Sequence, residues 1–213
     1  MPAIKPTETR NIIFDLGGVL LNINPLLSLY EFEKISGLDQ DELKNRLVNE
    51  NIFENFDTGR LNPAQFRYEL CRIMDCQVSD SEIDRAWNTL LLDFPLSRVN
   101  LLQQLRNNYR IFLLSNTNII HFQYYTGDFY EKYGSSMTDL FDMLFLSYEI
   151  GMHKPDAGIY AHLLRHAGIE PSESVFIDDS RANIDAAELQ GIPGIHIHNG
   201  HDVTDFFENG ILK

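Results

Sequence analysis

Side chains of types that bind metal ions or phosphate groups occur at four separated places in the chain. They are Asp15, Ser115, Lys154 and the adjacent pair Asp178 and Asp179. Carboxylates held close together repel one another, and a hard divalent cation with oxygen ligands, usually Mg²⁺, relieves that repulsion. A lysine and a serine beside the cation would hold a phosphoryl group, whose transfer needs positioning, charge neutralisation and an in-line nucleophile. A carboxylate can be that nucleophile, giving an aspartyl phosphate that water then hydrolyses.

Short apolar segments precede these polar residues, and each is typical of a strand that is buried on both faces. The segments are Asn11–Phe14, Ile111–Leu114, Met143–Leu146, Val175–Ile177 and a weaker fifth, Ile195–Ile197. Helical patterns follow the later strands, one capped by Asp156 and ended by Gly168, the other over Arg181–Gln190. Alternating strands and helices predict an α/β fold with a parallel sheet. Ligands bind beyond the carboxyl ends of such strands, so we expect the polar residues to meet there.

Residues 24–97 show helix starts and no strand segments. Residue pairs typical of a helix N-cap and its third-position partner are Asp39 with Glu42, Asn62 with Gln65, and Ser79 with Glu82. The pattern predicts a small helical cap inserted after the first strand, with a core formed by residues 1–23 and 98–213. Four aromatic residues of this segment are expected to form the interior of the cap, namely Phe53, Phe56, Trp87 and Phe94.

The composition limits the possible partners. The 213 residues include 17 basic and 31 acidic side chains, a net charge of −14, and no basic patch that would hold a nucleic acid. No apolar stretch reaches the roughly 18 residues of a membrane span, and no secretion signal is visible. The two cysteines form no zinc pattern. We therefore expect a cytoplasmic protein without nucleic-acid, membrane or obligate protein partners.

Four motifs, in the same order, resemble those of the haloacid dehalogenase-like hydrolases with a helical cap. They read FDLGGVL, LLSN, SYEIGMHKPDAGIY and FIDDSRANIDAAELQGI, and the resemblance covers nearly all of residues 11–197. It implies a Rossmann-like core, the cofactor Mg²⁺ and hydrolysis of a small phosphorylated metabolite, such as a sugar phosphate.

The resemblance also implies roles for single residues. Asp15 would be the nucleophile, steadied by Lys154, and Ser115, Asn116 and Lys154 would bind the phosphate. The metal would be held by Asp15, the main-chain carbonyl of Gly17, Asp178 and Asp179. From the residues themselves, we further expect Ser180 and Asn183 to cap the following helix and to support the acids, with Asn183 orienting them.

Gly17 departs from the family pattern, because phosphatases of the family usually carry a general acid at this position. Loss of a general acid typically costs roughly 10²–10⁴ in rate. The FDLG form resembles a bacterial branch that includes α-glucose-1-phosphate phosphatases, in which an anomeric oxygen leaves with less need of a proton. The alternative is a non-catalytic phosphate-binding or regulatory protein. His121 could replace the acid, although a structural role is favoured; His162 and His166 are expected on a solvated helix face.

Overall fold

A parallel sheet forms the centre of the computed structural model, which describes residues 2–198 and 200–213. Its strands are β1 (Asn11–Phe14), β2 (Arg110–Ser115), β3 (Met143–Leu146), β4 (Ser174–Asp178) and β5 (Gly194–His196). The strand order is β3-β2-β1-β4-β5, and all neighbouring pairs are parallel. The predicted α/β fold class is confirmed. The central strand β1 pairs on both sides, with β2 and with β4.

Helices cover both faces of the sheet and form the segment inserted after β1. They are α1 (Pro25–Ser36), α2 (Gln40–Asn49), α3 (Ile52–Asp57), α4 (Pro63–Met74), α5 (Asp80–Asn88), α6 (Leu96–Leu105), α7 (Ile119–Tyr133), α8 (Ser147–Ile150), α9 (Ala157–Ala167) and α10 (Arg181–Leu189). Within the residues that the structure describes, no helix is long and apolar enough to cross a membrane.

Side chains of β1 alternate between two apolar clusters, as the pleat of a strand requires. Ile12 and Phe14 pack in a cluster with α6 and α7, whereas Ile13 packs in a second cluster with α9 and α10. Because both faces are covered, every residue of β1 is buried. This burial explains the short, continuous apolar segments in the sequence.

Two capping predictions are wrong in detail. Asp156 occupies the N-cap position of α9, but its side chain accepts no hydrogen bond from the helix. Ser180 stands at the N-cap of α10, again without a capping bond from its side chain. By contrast, Asn62 with Gln65 and Ser79 with Glu82 form reciprocal capping boxes at α4 and α5. Asp39 accepts the backbone N–H groups of residues 41 and 42 at the start of α2.

Helices α1–α5 surround an apolar cluster of their own, which we call the cap cluster. It contains Phe32, Leu43, Leu47, Ile52, Phe56, Phe66, Leu70, Ile73, Met74, Ile83, Ala86, Trp87 and, from α7, Ile120. Phe94 is not in it, contrary to the prediction: its ring meets Phe129 edge-on at 5.3 Å within the core. The first turn of α7 is therefore the place where the core contributes to the packing of the inserted helices.

The two chain segments that connect the inserted helices to the core run side by side. The backbone N–H of Asn22 donates to the Asp93 carbonyl at 2.9 Å, and that of Leu92 donates to the Asn22 carbonyl at 2.9 Å. Ile23 and Leu91 form an antiparallel bridge. The insertion thus leaves and re-enters the core at one point.

A short antiparallel pair near the C-terminus was not predicted. Its strands are β6 (Phe207–Glu208) and β7 (Ile211–Leu212), and Phe207 and Leu212 are buried in the same cluster as α6 and α7. This pair closes the core on the face opposite α9 and α10.

Candidate active site

The carboxyl end of the sheet carries the acidic residues that the sequence singled out. Asp15 directly follows β1, and its backbone N–H donates to the Ile177 carbonyl of β4 at 2.9 Å. Asp178 is the last residue of β4, and Ser115 is the last residue of β2. Asp15, Ser115 and Asp178 are buried. Parallel pairing of β1 with both neighbours therefore brings the three positions to one edge.

Lys154 connects two of these acids. Its Nζ lies 2.6 Å from Asp15 Oδ1 and 2.7 Å from Asp178 Oδ2, and its side chain is 1% exposed. Burial lowers the pKa of Lys154, but the charges of the two carboxylates outweigh burial and place that pKa above its usual value. Burial raises the pKa of Asp15 to about 7 despite the nearby ammonium. Lys154, Asp15 and Asp178 thus form a buried cluster of ion pairs, which we call the ion triad.

Asn116 fixes the backbone that carries Lys154. Its Nδ2 donates to the Lys154 carbonyl at 2.9 Å, and its Oδ1 accepts the Lys154 N–H at 2.8 Å. The residue after Ser115 thus holds the loop that supplies the lysine, so the loops following β2 and β3 are tied together.

Asp178 is held by donors on its own side of the sheet edge. Its Oδ1 accepts the Ser180 N–H at 2.7 Å and the Asn183 Nδ2 at 3.0 Å. The same Asn183 Nδ2 lies 3.1 Å from Asp178 Oδ2. The Asp178 carboxylate is therefore fixed by the backbone of the turn and by the first turn of α10.

Three carboxylates can share one cation here. Asp15, Asp178 and Asp179 each offer an oxygen, and these oxygens lie within 4.8 Å of one another. Burial, followed by the charge of Asp178, raises the pKa of Asp179. A set of carboxylate oxygens suits a hard cation such as Mg²⁺, so the residues present fit the ion that the sequence led us to expect.

Gly18 faces Asp179 directly. Its φ is +77°, and a Cβ added there would collide with the Asp179 carboxylate. Both the left-handed backbone and the close approach require glycine at this position.

Gly17 has a different neighbour. A Cβ added at Gly17 would lie 3.0 Å from Cδ1 of Ile23, tighter than normal packing. The Ile23 side chain would therefore have to shift to admit a Cβ at position 17.

A cavity of about 380 Å³ lies between the inserted helices and the loop after Ser115. Its lining is mainly apolar, and the residues are Ile23, Pro25, Ser28, Leu29, Phe32, Lys44, Leu47, Val48, Phe53, Asp57, Trp87, Leu90, Asn116 and His121. Asn116 also holds the backbone of Lys154, so this residue of the lining connects the cavity with the acidic site. Phe53 and Trp87, which stack at 4.7 Å, are both cavity walls and part of the cap packing.

Asp57 was missed by the reasoning from sequence. It is the last residue of α3, and its Oδ1 accepts a hydrogen bond from Asn118 Nδ2 at 2.9 Å. Burial raises the pKa of its carboxyl to about 6, against the opposing effect of that hydrogen bond. The sequence around it offers one signal, a glycine two residues later. In the structure, Gly59 has a φ of +69° and lies against the Tyr148 backbone, so the turn after α3 rests on the core.

His121 is a packing residue at the junction of α7 with the inserted helices. Its ring stacks on Trp87 at 4.4 Å, and burial lowers its pKa to about 4. It is therefore neutral near pH 7, so it lacks the acidic imidazolium proton that a general acid would donate. His162 and His166 stack on each other on α9, and no metal cluster that includes them occurs among the described residues.

Comparisons with known proteins agree with this geometry. The family model for haloacid dehalogenase-like hydrolases matches residues 9–191. A D-ribitol-5-phosphate phosphatase of Bacteroides thetaiotaomicron is 28% identical, over 91% of this chain and 94% of its own length. A sesquiterpene phosphatase of Aspergillus oryzae is 27% identical, over 90% of this chain and 91% of its own.

A solved structure gives a similar result. A family enzyme of B. thetaiotaomicron, in complex with magnesium and inorganic phosphate, superimposes with a TM-score of 0.87. The two sequences are 35% identical, and the match covers 94% of this chain and 100% of the solved one.

Proposed function

Because the chain belongs to the haloacid dehalogenase-like hydrolase family, we propose that it is a Mg²⁺-dependent phosphatase of small phosphate monoesters, with Asp15 as the nucleophile. The observation that carries the proposal is the position of Lys154 between Asp15 and Asp178, beside a third carboxylate. A lysine at this place neutralises part of the charge that gathers when a phosphate dianion meets three acids.

Each residue has one task in the proposed reaction. An oxygen of Asp15 attacks phosphorus, and the bond from phosphorus to the ester oxygen breaks, which leaves a phosphoryl group on Asp15. Ser115, Asn116 and Lys154 hold the oxygens of the phosphoryl group. Water then attacks phosphorus, the bond to Asp15 breaks, and inorganic phosphate leaves with the carboxylate restored.

The metal site is proposed for Asp15, the carbonyl of Gly17, Asp178 and Asp179, with Asn183 orienting Asp178. Mg²⁺ bound there would neutralise the charge of the phosphoryl oxygens. The donor set supports this assignment, since carboxylate oxygens are the ligands that Mg²⁺ prefers.

The substrate class is a phosphate ester of a small alcohol. The FDLG motif favours a sugar 1-phosphate, whereas the ribitol-5-phosphate phosphatase among the relatives favours a primary ester of a sugar or polyol. A third substrate class to test is the phosphate monoester of an apolar alcohol. The largely apolar cavity and the similarity to a sesquiterpene phosphatase both favour it.

A non-catalytic phosphate-binding protein is the second candidate, and Gly17 is its support. The buried triad of Lys154, Asp15 and Asp178 argues against it, because burying such charges is costly and a binding protein has no need of the nucleophile.

The test is phosphate release from glucose 1-phosphate, glucose 6-phosphate, ribitol 5-phosphate, a prenyl monophosphate and p-nitrophenyl phosphate. Each is assayed with Mg²⁺ or EDTA, for the unmodified protein and for Asp15→Asn. Release that needs both Mg²⁺ and Asp15 is expected. No release from any ester, together with measurable binding of phosphate, would favour the second candidate, and a higher rate on glucose 6-phosphate than on glucose 1-phosphate would exclude the sugar 1-phosphate preference.

A further inference from the structure

An alkoxide is a poor leaving group, so hydrolysis of an alkyl phosphate is faster when an acid donates a proton to the departing oxygen. The carboxylates at the sheet edge have other tasks. Asp15 is the proposed nucleophile, and Asp178 is bound by Lys154, Ser180 and Asn183. Position 17 carries no side chain, and Ile23 takes up the space beside it.

We propose that Asp57 is the general acid and base of this reaction, reaching the leaving group from the inserted helices. The inference rests on the proposed function of the site. Among the described residues that line the cavity, Asp57 is the one carboxylic acid, and it shares that cavity with Asn116 and Ile23.

Two contacts fix Asp57 relative to the core. Asn118, three residues after Ser115, donates its amide hydrogen to Asp57 Oδ1 at 2.9 Å. The turn after α3 touches the Tyr148 backbone through Gly59, where no Cβ would fit. The carboxyl group is therefore positioned against the loop that follows the phosphate-binding serine, and within the described residues its second oxygen, Oδ2, has no hydrogen-bond partner.

The surroundings of Asp57 favour a group that exchanges a proton near neutral pH. Its pKa of about 6 results from burial, offset by Asn118 and by the charge of His153. The other titratable side chains at the cavity are Lys44 of α2 and His121 of α7, and His121 is neutral because of its low pKa. A carboxyl with this pKa is an effective acid and, once ionised, an effective base.

The proton transfers balance. As Asp15 attacks, the electron pair of the breaking bond stays on the ester oxygen, which takes the proton of Asp57 and leaves as an alcohol. The Asp57 carboxylate then takes one proton from the water that attacks the phosphorylated Asp15. Phosphate and the protonated Asp57 result, so the cycle consumes one water for each ester.

Asp57→Asn tests the proposal, because an amide keeps an oxygen that can accept the Asn118 hydrogen bond, whereas its N–H groups are far too weakly acidic to protonate the ester oxygen. The value of kcat/KM is measured for an alkyl ester from the panel and for p-nitrophenyl phosphate, whose leaving group departs without a proton. We expect a loss of about 10²-fold or more on the alkyl ester and a loss of about tenfold or less on p-nitrophenyl phosphate. Asp41→Asn, an exposed acid on α2, is the matched control and should behave as the unmodified protein on both esters.

A purely structural role gives a different pattern. Equal losses on the two esters, or no loss on either, would overturn the proposal, and melting temperatures show whether the variant is folded. As a second readout, the ratio of kcat/KM of the unmodified protein to that of Asp57→Asn on the alkyl ester should fall as pH rises above about 6, because titration of Asp15 affects both proteins and cancels in the ratio. An unmodified protein that is inactive on both esters would instead refute the proposed function itself, and this inference with it.

Discussion

Lys154 Nζ lies 2.6 Å from Asp15 Oδ1, and both side chains are withdrawn from solvent. The same ammonium also neutralises Asp178, so one cation serves two buried carboxylates. Such an arrangement is stable only while all its members are present, because an unpaired buried charge is expensive. The site and the stability of the core are therefore linked through one side chain.

Lys154→Ala should lower both activity and stability. Two carboxylates would lose their buried partner, at a cost of about 3–5 kcal/mol in the free energy of unfolding. Chemical denaturation measures the loss, and phosphate release measures activity. Lys132→Ala, at an exposed lysine of α7, is the control; if the two variants were equally stable, the ion triad would not exist in solution.

Asn183→Ala should weaken metal binding while leaving the fold intact. Asn183 donates to both oxygens of Asp178, and loss of such orienting groups typically costs roughly 10–100-fold in metal affinity or activity. The Mg²⁺ concentration that gives half-maximal activity is the measurement, and high Mg²⁺ should restore part of the rate. Asn100→Ala on the exposed face of α6 should not shift that concentration. A Mg²⁺ dependence equal to that of the unmodified protein would contradict the orienting role.

Gly18→Ala should weaken metal binding, whereas the same substitution at another left-handed glycine, Gly37, should not. Gly18 and Gly37 both have positive φ, +77° and +68°, but only at Gly18 would a Cβ collide with Asp179; at Gly37 there is open space. In both alanine variants, backbone strain should lower the free energy of unfolding by roughly 1–2 kcal/mol. Only Gly18→Ala should also reduce Mg²⁺ affinity, measured by calorimetry. Equal affinities in the two variants would refute the contact with Asp179.

Asp57→Asn should change how stability depends on pH. The pKa of Asp57 is raised in the folded state, from 3.8 to about 6, so folding favours the protonated form. The unmodified protein therefore loses stability as pH rises from about 4 to about 6, whereas the variant has no group to ionise there. Between pH 4 and pH 8, the free energy of unfolding of the variant should rise by on the order of 2 kcal/mol relative to that of the unmodified protein. Denaturation curves at both pH values test this, and a constant difference would show that Asp57 titrates as an exposed acid.

The residues at the sheet edge could be predicted from sequence because each strand end is marked by residues that are adjacent in the chain. An apolar segment that stops at an acid or a serine marks the end of a buried strand, and parallel strands bring such ends together. The structure accordingly places Asp15, Ser115, Lys154 and Asp178 in one region.

Features that depend on how distant elements meet could not be predicted. Asp57 lies at the end of a six-residue helix, and only the docking of that helix on the core gives it Asn118 as a partner. Phe94 turns into the core although it adjoins the inserted helices in sequence. The strands β6 and β7 have two residues each, too few for any periodicity.

The paired backbones of Asn22 and Asp93 make the inserted helices a removable module. Asn22 donates its N–H to the Asp93 carbonyl and accepts the Leu92 N–H at its own carbonyl, so a two-residue β-turn could join the two segments in a shortened chain without displacing β1 or α6. The core would keep the cluster under α9 and α10 whole and lose Leu91 from the cluster under α6 and α7, and Ile120 at the start of α7 would be uncovered. A polar residue at position 120 would then remove the exposed apolar surface. The shortened core could accept a different set of helices at the same point of insertion.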